Sequence, residues 1–192
     1  MIKSLPIFII SIFLFSCNQP HYKDPHIIIK TSYGDIEVEL YPDKAPKTVA
    51  AFLSYIDAGY FKESSFYRVL FTEDMGGHGY GIIQGGISQT IEKLYNTIPG
   101  IIHESTKQTG LSHTNGTISL ARTTPGSANT EFFICVGDQT QFDYGGGTSD
   151  NQGFAAFGKV FSGMEVVREI QKLPATGDAF KEKVKISNVK RL

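Results

Sequence analysis

The sequence predicts a mainly β protein whose strands close into an eight-stranded antiparallel barrel capped by two α-helices. Three observations support this fold class. Short segments that alternate apolar and polar residues recur along most of the chain, and such alternation is typical of half-buried strands. Two segments have apolar residues at helical spacing instead. The chain has 192 residues, and closure into a barrel would remove the exposed sheet edges of a domain of this size.

Alternation is clearest at residues 35–40, where Ile36, Val38 and Leu40 share one face and two glutamates share the other. A tight turn at residues 33–35 joins this strand to the preceding one as a hairpin. The same criteria predict further strands at residues 27–31, 65–71, 82–86, 116–122, 131–136, 154–161 and 184–189. Residues 72–79 are polar and rich in glycine, which predicts a loop between two of these strands.

The two predicted helices cover residues 46–58 and 163–172. The first has Pro46 in its first turn and Gly59 directly after its end, two residues that suit those positions. The residues predicted to be buried are Val49, Phe52, Leu53 and Ile56 in the first helix and Met164, Val167 and Ile170 in the second. The pattern thus predicts one amphipathic helix early in the domain and one late.

The interior of the predicted barrel decides where a ligand can bind. Side chains can fill a barrel of about eight strands, and the 14 phenylalanines of the chain predict a filled core. A ligand must then bind in a groove on the outside. The alternative is a hollow, lipocalin-like barrel that carries a small molecule inside.

The N-terminus is predicted to be a targeting segment. Lys3 gives it a positive start, residues 5–15 are almost entirely apolar, and Leu14-Phe15-Ser16-Cys17 resembles the cleavage box of a bacterial lipoprotein. We therefore expect a signal peptide at residues 1–16, a lipidated Cys17 followed by a tether to residue 26, and one folded domain at residues 27–192. The alternative is an ordinary secretory signal with an incidental cysteine.

Lipidation would place the protein in the cell envelope, anchored to a bilayer on its periplasmic or surface side. With Cys17 acylated, Cys135 has no cysteine partner in the chain, and its apolar neighbours predict a buried, inert thiol. The formal net charge is −1, without the basic excess that nucleic-acid binding usually shows. Nothing in the sequence indicates more than a monomer.

Motif spacing argues against cofactor, metal and nucleophile chemistry. The glycines at residues 76–81 fail the dinucleotide pattern because Gln84 stands where its last glycine belongs. His103-Glu104 lacks the second histidine of a zinc motif, since Lys107 occupies that place. No G-x-S-x-G segment is present. His113 precedes a turn and is predicted to be structural, so we expect neither a metal nor a cofactor.

The candidate site instead combines Arg68 and Gln84 with apolar surroundings. Both lie on otherwise apolar, strand-like segments, and a third apolar run, residues 132–136, follows downstream. Apolar walls with a few polar groups are typical of a site for a small neutral moiety. In order along the chain, these segments resemble those of the cyclophilins, the cyclosporin-type peptidyl-prolyl isomerases.

The resemblance covers residues 28–192. Phe66-Tyr67-Arg68-Val69 resembles the F-H-R-V segment of the family, Ile82-Ile83-Gln84-Gly85-Gly86 resembles F-M-x-Q-G-G, and Thr130-Glu131-Phe132-Phe133-Ile134 resembles S-Q-F-F-I. Residues 118–123, 141–143 and 154–160 match further segments. The resemblance implies a cyclophilin-like barrel that speeds rotation about X-Pro bonds in proline-containing polypeptides. It also implies catalytic roles for Arg68 and Gln84, and substrate binding by Ile82, Ala121, Arg122, Thr123, Glu131, Phe133, Phe142 and Phe154.

Three positions depart from the family pattern. Gly81 replaces an aromatic residue, so either Tyr80 supplies the ring or the pocket is more open. Gln141 replaces an indole, and Glu131 replaces a glutamine. If Glu131 pairs with Arg68, it could orient the guanidinium or compete with substrate for it. These departures leave two hypotheses: an isomerase that assists folding in the cell envelope, or a chaperone or proline-peptide binding module without turnover.

Overall fold

The computed structural model describes residues 22–73, 76–77 and 79–192. The predicted signal peptide, Cys17 and residues 18–21 of the predicted tether lie outside these residues. The strands are β1 (His26–Thr31), β2 (Gly34–Leu40), β3 (Ser64–Glu73), β4 (Gly79–Gly86), β5 (Thr117–Leu120), β6 (Phe132–Val136), β7 (Ala155–Ser162), β8 (Ala175–Thr176) and β9 (Ala179–Arg191). The helices are α1 (Pro46–Asp57), α2 (Glu92–Tyr95), α3 (Thr106–Thr109) and α4 (Met164–Gln171), with a 3₁₀ turn at Thr140–Phe142.

The strands form one closed sheet. They follow one another in the order β1-β2-β7-β5-β6-β4-β3-β9, and β9 pairs again with β1. Neighbouring strands are antiparallel throughout. The two-residue strand β8 pairs with the start of β9 as a hairpin. The predicted fold class, an eight-stranded antiparallel barrel, is therefore confirmed.

Two of the helices match the prediction closely. In α1 the residues predicted to be buried are buried, together with Thr48. In α4, Val167 and Ile170 are buried as predicted, whereas Met164 is half-buried and Val166 is buried in its place. The one-turn helices α2 and α3 were not predicted, because four residues are too few to show a helical period. No helix in the described ranges is both long and apolar enough to cross a bilayer.

Aromatic rings fill the barrel core. Phe52 of α1 lies 5.0 Å from the ring of Phe157 and 5.7 Å from that of Phe132, centroid to centroid. Phe61 and Phe66 also contact Phe132, at 5.9 Å and 5.7 Å. All five rings are buried. The interior is therefore packed with side chains, which contradicts the hollow-barrel alternative.

Three strands, β3, β4 and β9, extend further than predicted near the candidate site. β3 continues to Glu73 and pairs with Gly79 at the start of β4, so both ends of the predicted loop 72–79 belong to strands. β9 begins at Ala179, which pairs with Arg68 of β3. The β8–β9 turn consequently lies beside the middle of β3, where the main-chain N–H of Val69 donates to the carbonyl of Asp178 at 2.8 Å.

Candidate active site

An irregularity in β3 determines which side chains face outward. The register shifts between Phe66 and Arg68 against both neighbouring strands, so Tyr67 is the extra residue of a β-bulge. Phe66 and Val69 are buried in the core. Tyr67, Arg68 and Leu70 line a groove on the outside. Simple alternation would place Tyr67 and Arg68 on opposite faces, and the bulge brings both to the same side.

Strands β4 and β6 supply the floor of the groove. Gln84 pairs with Phe133, and Ile82 pairs with Cys135. Because alternate residues of a strand share a face, these four side chains point away from the barrel core. Ile82, Phe133 and Cys135 form a separate apolar cluster, against which Leu70, Ala121, Phe142 and Phe154 pack. The barrel thus has a second, smaller apolar cluster on its outer wall.

Three aromatic rings shape the apolar part of the groove. Phe133, Phe142 and Phe154 contact one another edge to face, with centroids 5.3–5.5 Å apart. The groove has a volume of about 330 Å³. All the predicted catalytic and substrate-binding residues line it: Arg68, Ile82, Gln84, Ala121, Arg122, Thr123, Glu131, Phe133, Phe142 and Phe154. The sequence analysis missed Tyr67, Leu70, Ser88, Tyr95 and Ser127, which line it too.

Arg68 is held from two sides at the edge of this groove. Its Nη1 donates to Oε1 of Gln84 at 3.0 Å, and its Nη2 donates to Oδ2 of Asp178 at 2.8 Å. The Arg68 side chain remains 38% exposed. The guanidinium is therefore fixed in direction while a ligand can still reach it. Asp178 was not predicted, since it lies 110 positions along the chain and only the β3–β9 pairing brings it here.

Gln84 is held in turn by Tyr67. Its Nε2 donates to the Tyr67 hydroxyl at 2.8 Å, and that hydroxyl donates to Oε2 of Glu131 in a short hydrogen bond. Burial, followed by the negative charge of Glu131, raises the pKa of Tyr67 well above its usual value. Tyr67 therefore stays protonated and serves as a donor. One hydrogen-bonded chain runs from Glu131 through Tyr67, Gln84 and Arg68 to Asp178.

The interpretation that Glu131 could pair with Arg68 is wrong. Glu131 is 5% exposed. Its Oε1 accepts from the main-chain N–H groups of Ile87 at 2.8 Å and Ser88 at 3.0 Å, and from the Thr130 hydroxyl at 3.2 Å. Its Oε2 accepts from the Ser88 hydroxyl at 2.8 Å. A buried carboxylate needs such donors, and most of them here come from the segment that follows β4.

The expected peptide-binding edge at Ala121, Arg122 and Thr123 is less regular than predicted. β5 ends at Leu120, two residues before the predicted end at residue 122. The main-chain N–H of Ala121 donates to the Glu131 carbonyl at 2.8 Å, and that of Thr123 donates to the Ser127 hydroxyl at 3.1 Å. Among the described residues, none bonds to the main-chain N–H or carbonyl of Arg122. The main-chain N–H and carbonyl of Arg122 therefore remain available for pairing.

The Arg122 side chain holds part of the groove wall in position through hydrogen bonds. Nη1 and Nη2 bond to the two carboxylate oxygens of Asp150 at 2.6 Å and 2.9 Å, and Nε donates to the Gly153 carbonyl at 2.8 Å. These contacts lower the pKa of Asp150 well below its usual range, with the Arg122 hydrogen bonds as the main cause. The guanidinium also lies 5.1 Å from the centroid of Phe154. Arg122 therefore fixes the position of that ring.

The surroundings of Gly81 contradict the expectation that Tyr80 supplies the aromatic ring. Tyr80 packs against Gly137 on another part of the surface, so it does not supply the missing ring. Leu70 of β3 lines the groove near this position of the sheet, since it pairs with Ile82. Gly81 has φ +129°, and a Cβ there would lie 2.0 Å from the Leu70 carbonyl oxygen. The local backbone accepts glycine because it lacks a Cβ.

Two buried groups lie behind the groove floor. His113 stacks on Phe133 at 5.8 Å, and its ring nitrogens contact Asp143 at 2.6 Å and Ser119 at 2.9 Å. Burial lowers the pKa of His113, although Asp143 opposes the shift, so the ring has a structural environment, as expected. Burial raises the pKa of Cys135 far above its usual value, which matches an inert thiol. Within the described ranges, no cluster of His, Cys, Asp or Glu has a metal-binding arrangement.

A closed eight-stranded barrel with an arginine-edged apolar groove on its outer wall is the architecture that the sequence resemblance implied. The family model described as "Cyclophilin type peptidyl-prolyl cis-trans isomerase/CLD" matches residues 26–191. The chain belongs to this family of enzymes.

Individual relatives agree with the family assignment. The chain is 35% identical over 170 residues to peptidyl-prolyl cis-trans isomerase B of Escherichia coli K12, an alignment that covers 85% of this chain and 97% of the relative. It is 36% identical over 149 residues to a peptidyl-prolyl cis-trans isomerase of Acinetobacter baylyi, covering 77% and 72%. These similarities extend over most of both relatives.

Solved structures share the fold. A cyclophilin-type isomerase of Cryptosporidium parvum superposes with a TM-score of 0.69 at 22% sequence identity, covering 88% of this chain and 97% of that one. A second structure of that protein, determined in the presence of the dipeptide Ala-Pro, gives a TM-score of 0.67. At this identity the comparison supports the barrel and its topology.

Proposed function

We propose that this chain is a lipid-anchored, monomeric peptidyl-prolyl isomerase that accelerates rotation about X-Pro bonds in proteins of the cell envelope. Isomerase activity follows from the family, and the site supports it through one observation. A permanently charged guanidinium is fixed at the edge of an apolar pocket of a size suited to a proline ring.

The reaction needs no nucleophile and no base. The barrier to rotation is ~18–20 kcal/mol and arises from the partial double bond between carbon and nitrogen. In the twisted amide the proline nitrogen regains its lone pair. Arg68 can donate to that nitrogen and to the proline's own carbonyl, because a guanidinium presents several N–H groups in one plane. Binding the twisted form better than either planar form lowers the barrier.

The other groove residues have supporting roles in this mechanism. The pyrrolidine ring packs against Phe133, Phe142 and Phe154. These rings exclude water, which would otherwise stabilise the planar amide. Gln84 keeps the guanidinium in place through its carbonyl oxygen and binds the substrate backbone beside the proline. The main-chain peptide of Arg122 pairs with the residues that precede the proline, in the manner of an added strand.

The decisive experiment measures cis–trans exchange of a short Ala-Pro peptide with wild-type protein and with Arg68→Ala. We expect the variant to lose about 10²–10³-fold in kcat/KM, the usual effect of removing one preorganised donor. Arg191→Ala is the matched control. Arg191 forms an exposed ion pair with Asp57 and lies outside the groove, so its variant should keep wild-type activity.

A binding module without turnover is the competing function. The Asp178 carboxylate favours it, because it offsets part of the Arg68 charge on which catalysis depends. Under this alternative the wild-type protein binds the peptide, yet the rate of exchange is the same with and without protein. Equal exchange rates for wild type and Arg68→Ala would therefore contradict the proposed isomerase.

A further inference from the structure

A second groove adjoins the Arg68 groove. It has a volume of about 680 Å³ and shares Leu70 with the first groove. The extended end of β3, the end of α4 and the β8–β9 turn enclose it. Among the described residues, its charged lining residues are Glu73, Lys172 and Asp178. The longer β3–β4 hairpin supplies Glu73, so this groove depends on one of the strand extensions described above.

Asp178 stands at the boundary between the two grooves. Its main chain is fixed by the hydrogen bond from Val69, and its Oδ2 accepts from Arg68 at 2.8 Å. The side chain is 56% exposed. Among the described residues, none bonds to its second carboxylate oxygen, Oδ1. A carboxylate held in place with one oxygen open can accept a hydrogen bond from a cationic side chain.

The mechanism determines which part of a substrate reaches this boundary. Arg68 binds the proline's own carbonyl, and the next residue of the substrate is attached to that carbonyl. An extended peptide advances ~3.3 Å per residue. The first two residues after the proline therefore pass within side-chain reach of Asp178. The residues before the proline run the other way, towards Arg122.

We propose that the second groove receives the substrate segment that follows the proline, and that Asp178 selects polypeptides with Lys or Arg at the first or second position of that segment. This inference rests on the proposed function, because the mechanism sets the direction of the bound chain. Glu73 adds a negative charge in the same groove, whereas Lys172 and the paired Arg68 oppose the preference.

The test uses peptides that share one Ala-Pro bond and differ only after the proline, where they carry Lys, Gln or Glu. For wild-type protein, kcat/KM should fall in the order Lys, Gln, Glu. Changing Lys to Glu replaces an attraction by a repulsion at a partly exposed site, so we expect about a two- to tenfold range. Equal values for the three peptides would overturn the proposal.

Two variants are expected to change the Lys-to-Glu ratio of kcat/KM in opposite directions. Asp178→Asn should reduce the Lys-to-Glu ratio to about one or below, and Lys172→Gln should increase it. Glu63→Gln is the control, because Glu63 pairs with Lys185 at the other end of β3 and should leave the ratio unchanged. A ratio that Asp178→Asn does not alter would assign the preference to some other residue and refute the role of Asp178.

Peptide affinity, measured by calorimetry, separates this inference from the proposed function. If Asp178→Asn turns over too slowly to compare peptides, its affinities for the Lys and Glu peptides give the same ratio. Turnover with no charge preference would support the proposed isomerase activity and would contradict substrate selection by Asp178. If the wild type binds the Lys peptide more tightly than the Glu peptide in a way that depends on Asp178, yet shows no turnover, substrate selection by Asp178 is supported and isomerase activity is contradicted.

Discussion

Two carboxylates, Glu131 and Asp178, fix the polar side of the groove at the scale of single residues. Glu131 holds Tyr67, which holds Gln84, and Asp178 holds Arg68 from the opposite side. Their environments differ. Glu131 is buried and surrounded by donors, so it acts on the guanidinium only through neutral side chains. Asp178 is exposed and touches Arg68 directly, so it affects both the direction of the guanidinium and the charge that a substrate meets.

His113 leads to a prediction about stability and pH. Burial places its folded-state pKa below the usual value of 6.5, whereas unfolding exposes the ring and restores that value. Below pH 6.5 the unfolded chain therefore binds more protons than the folded one. The stabilising contribution is complete above pH 6.5 and decreases as the pH falls towards the folded-state pKa. For one histidine the slope is at most ~1.4 kcal/mol per pH unit.

Urea unfolding at pH 7.5 and pH 5.5 measures this contribution. The free energy of unfolding should fall more for the wild type than for His113→Gln, which lacks the titrating ring. An NMR titration of the folded wild type provides the control. An imidazole midpoint at or above 6.5 for His113 would contradict the prediction.

At the scale of elements, the β-bulge and the β3–β4 hairpin form the site. Regular alternation places Phe132 in the core and Phe133 in the groove on consecutive residues. The bulge at Tyr67 departs from alternation and brings the hydroxyl and the guanidinium to one face. The extended hairpin then encloses the second groove beside the first. Each of these features depends on how β3 pairs with its two neighbours.

Gly81 of β4 is expected to tolerate no side chain. An added Cβ would meet the Leu70 carbonyl oxygen at 2.0 Å and would also carry a positive φ. We expect Gly81→Ala to lower the free energy of unfolding by roughly 2 kcal/mol or more. Introducing the family's aromatic residue there should destabilise the protein and should not improve the pocket. Chemical denaturation monitored by circular dichroism measures both changes.

Gly110→Ala is the matched control for that measurement. Gly110 also has a positive φ, +69°, but an added Cβ there would meet no atom within 4 Å. Its substitution reports backbone strain alone. If Gly81→Ala destabilises the protein no more than Gly110→Ala does, the close approach of the Leu70 carbonyl has no energetic consequence.

At the scale of the whole molecule, the protein is a filled barrel, and we propose that it works at a membrane surface. Because phenylalanine rings occupy the interior, the proposed substrate site is the groove on the outer wall. A groove of this kind accepts a segment of a large polypeptide, whereas an internal cavity accepts only small molecules. The proposed lipid on Cys17 would keep that groove near proteins that fold in the cell envelope.

Cys17→Ser tests the anchor. Expressed from its complete coding sequence in a bacterial host, the wild type should fractionate with membranes and release into detergent, because buried acyl chains hold it there. The Ser variant should appear in the soluble fraction with the same kcat/KM. Mass spectrometry of the N-terminal peptide should show acyl chains on the wild type alone. A wild type without acyl chains would support the ordinary secretory signal.

Local pattern alone was enough to predict the barrel, α1 and α4, because alternation and helical spacing report burial directly. The resemblance of short segments to the family then selected ten of the 15 residues that line the groove. Only the tertiary structure showed that Glu131 bonds to main-chain N–H groups and not to Arg68, and that Asp178 bonds to the Arg68 guanidinium. It also showed that Tyr80 packs against Gly137, outside the groove. Those outcomes depend on strand register and on contacts between distant parts of the chain. Neither can be predicted from the spacing of apolar and polar residues in the sequence.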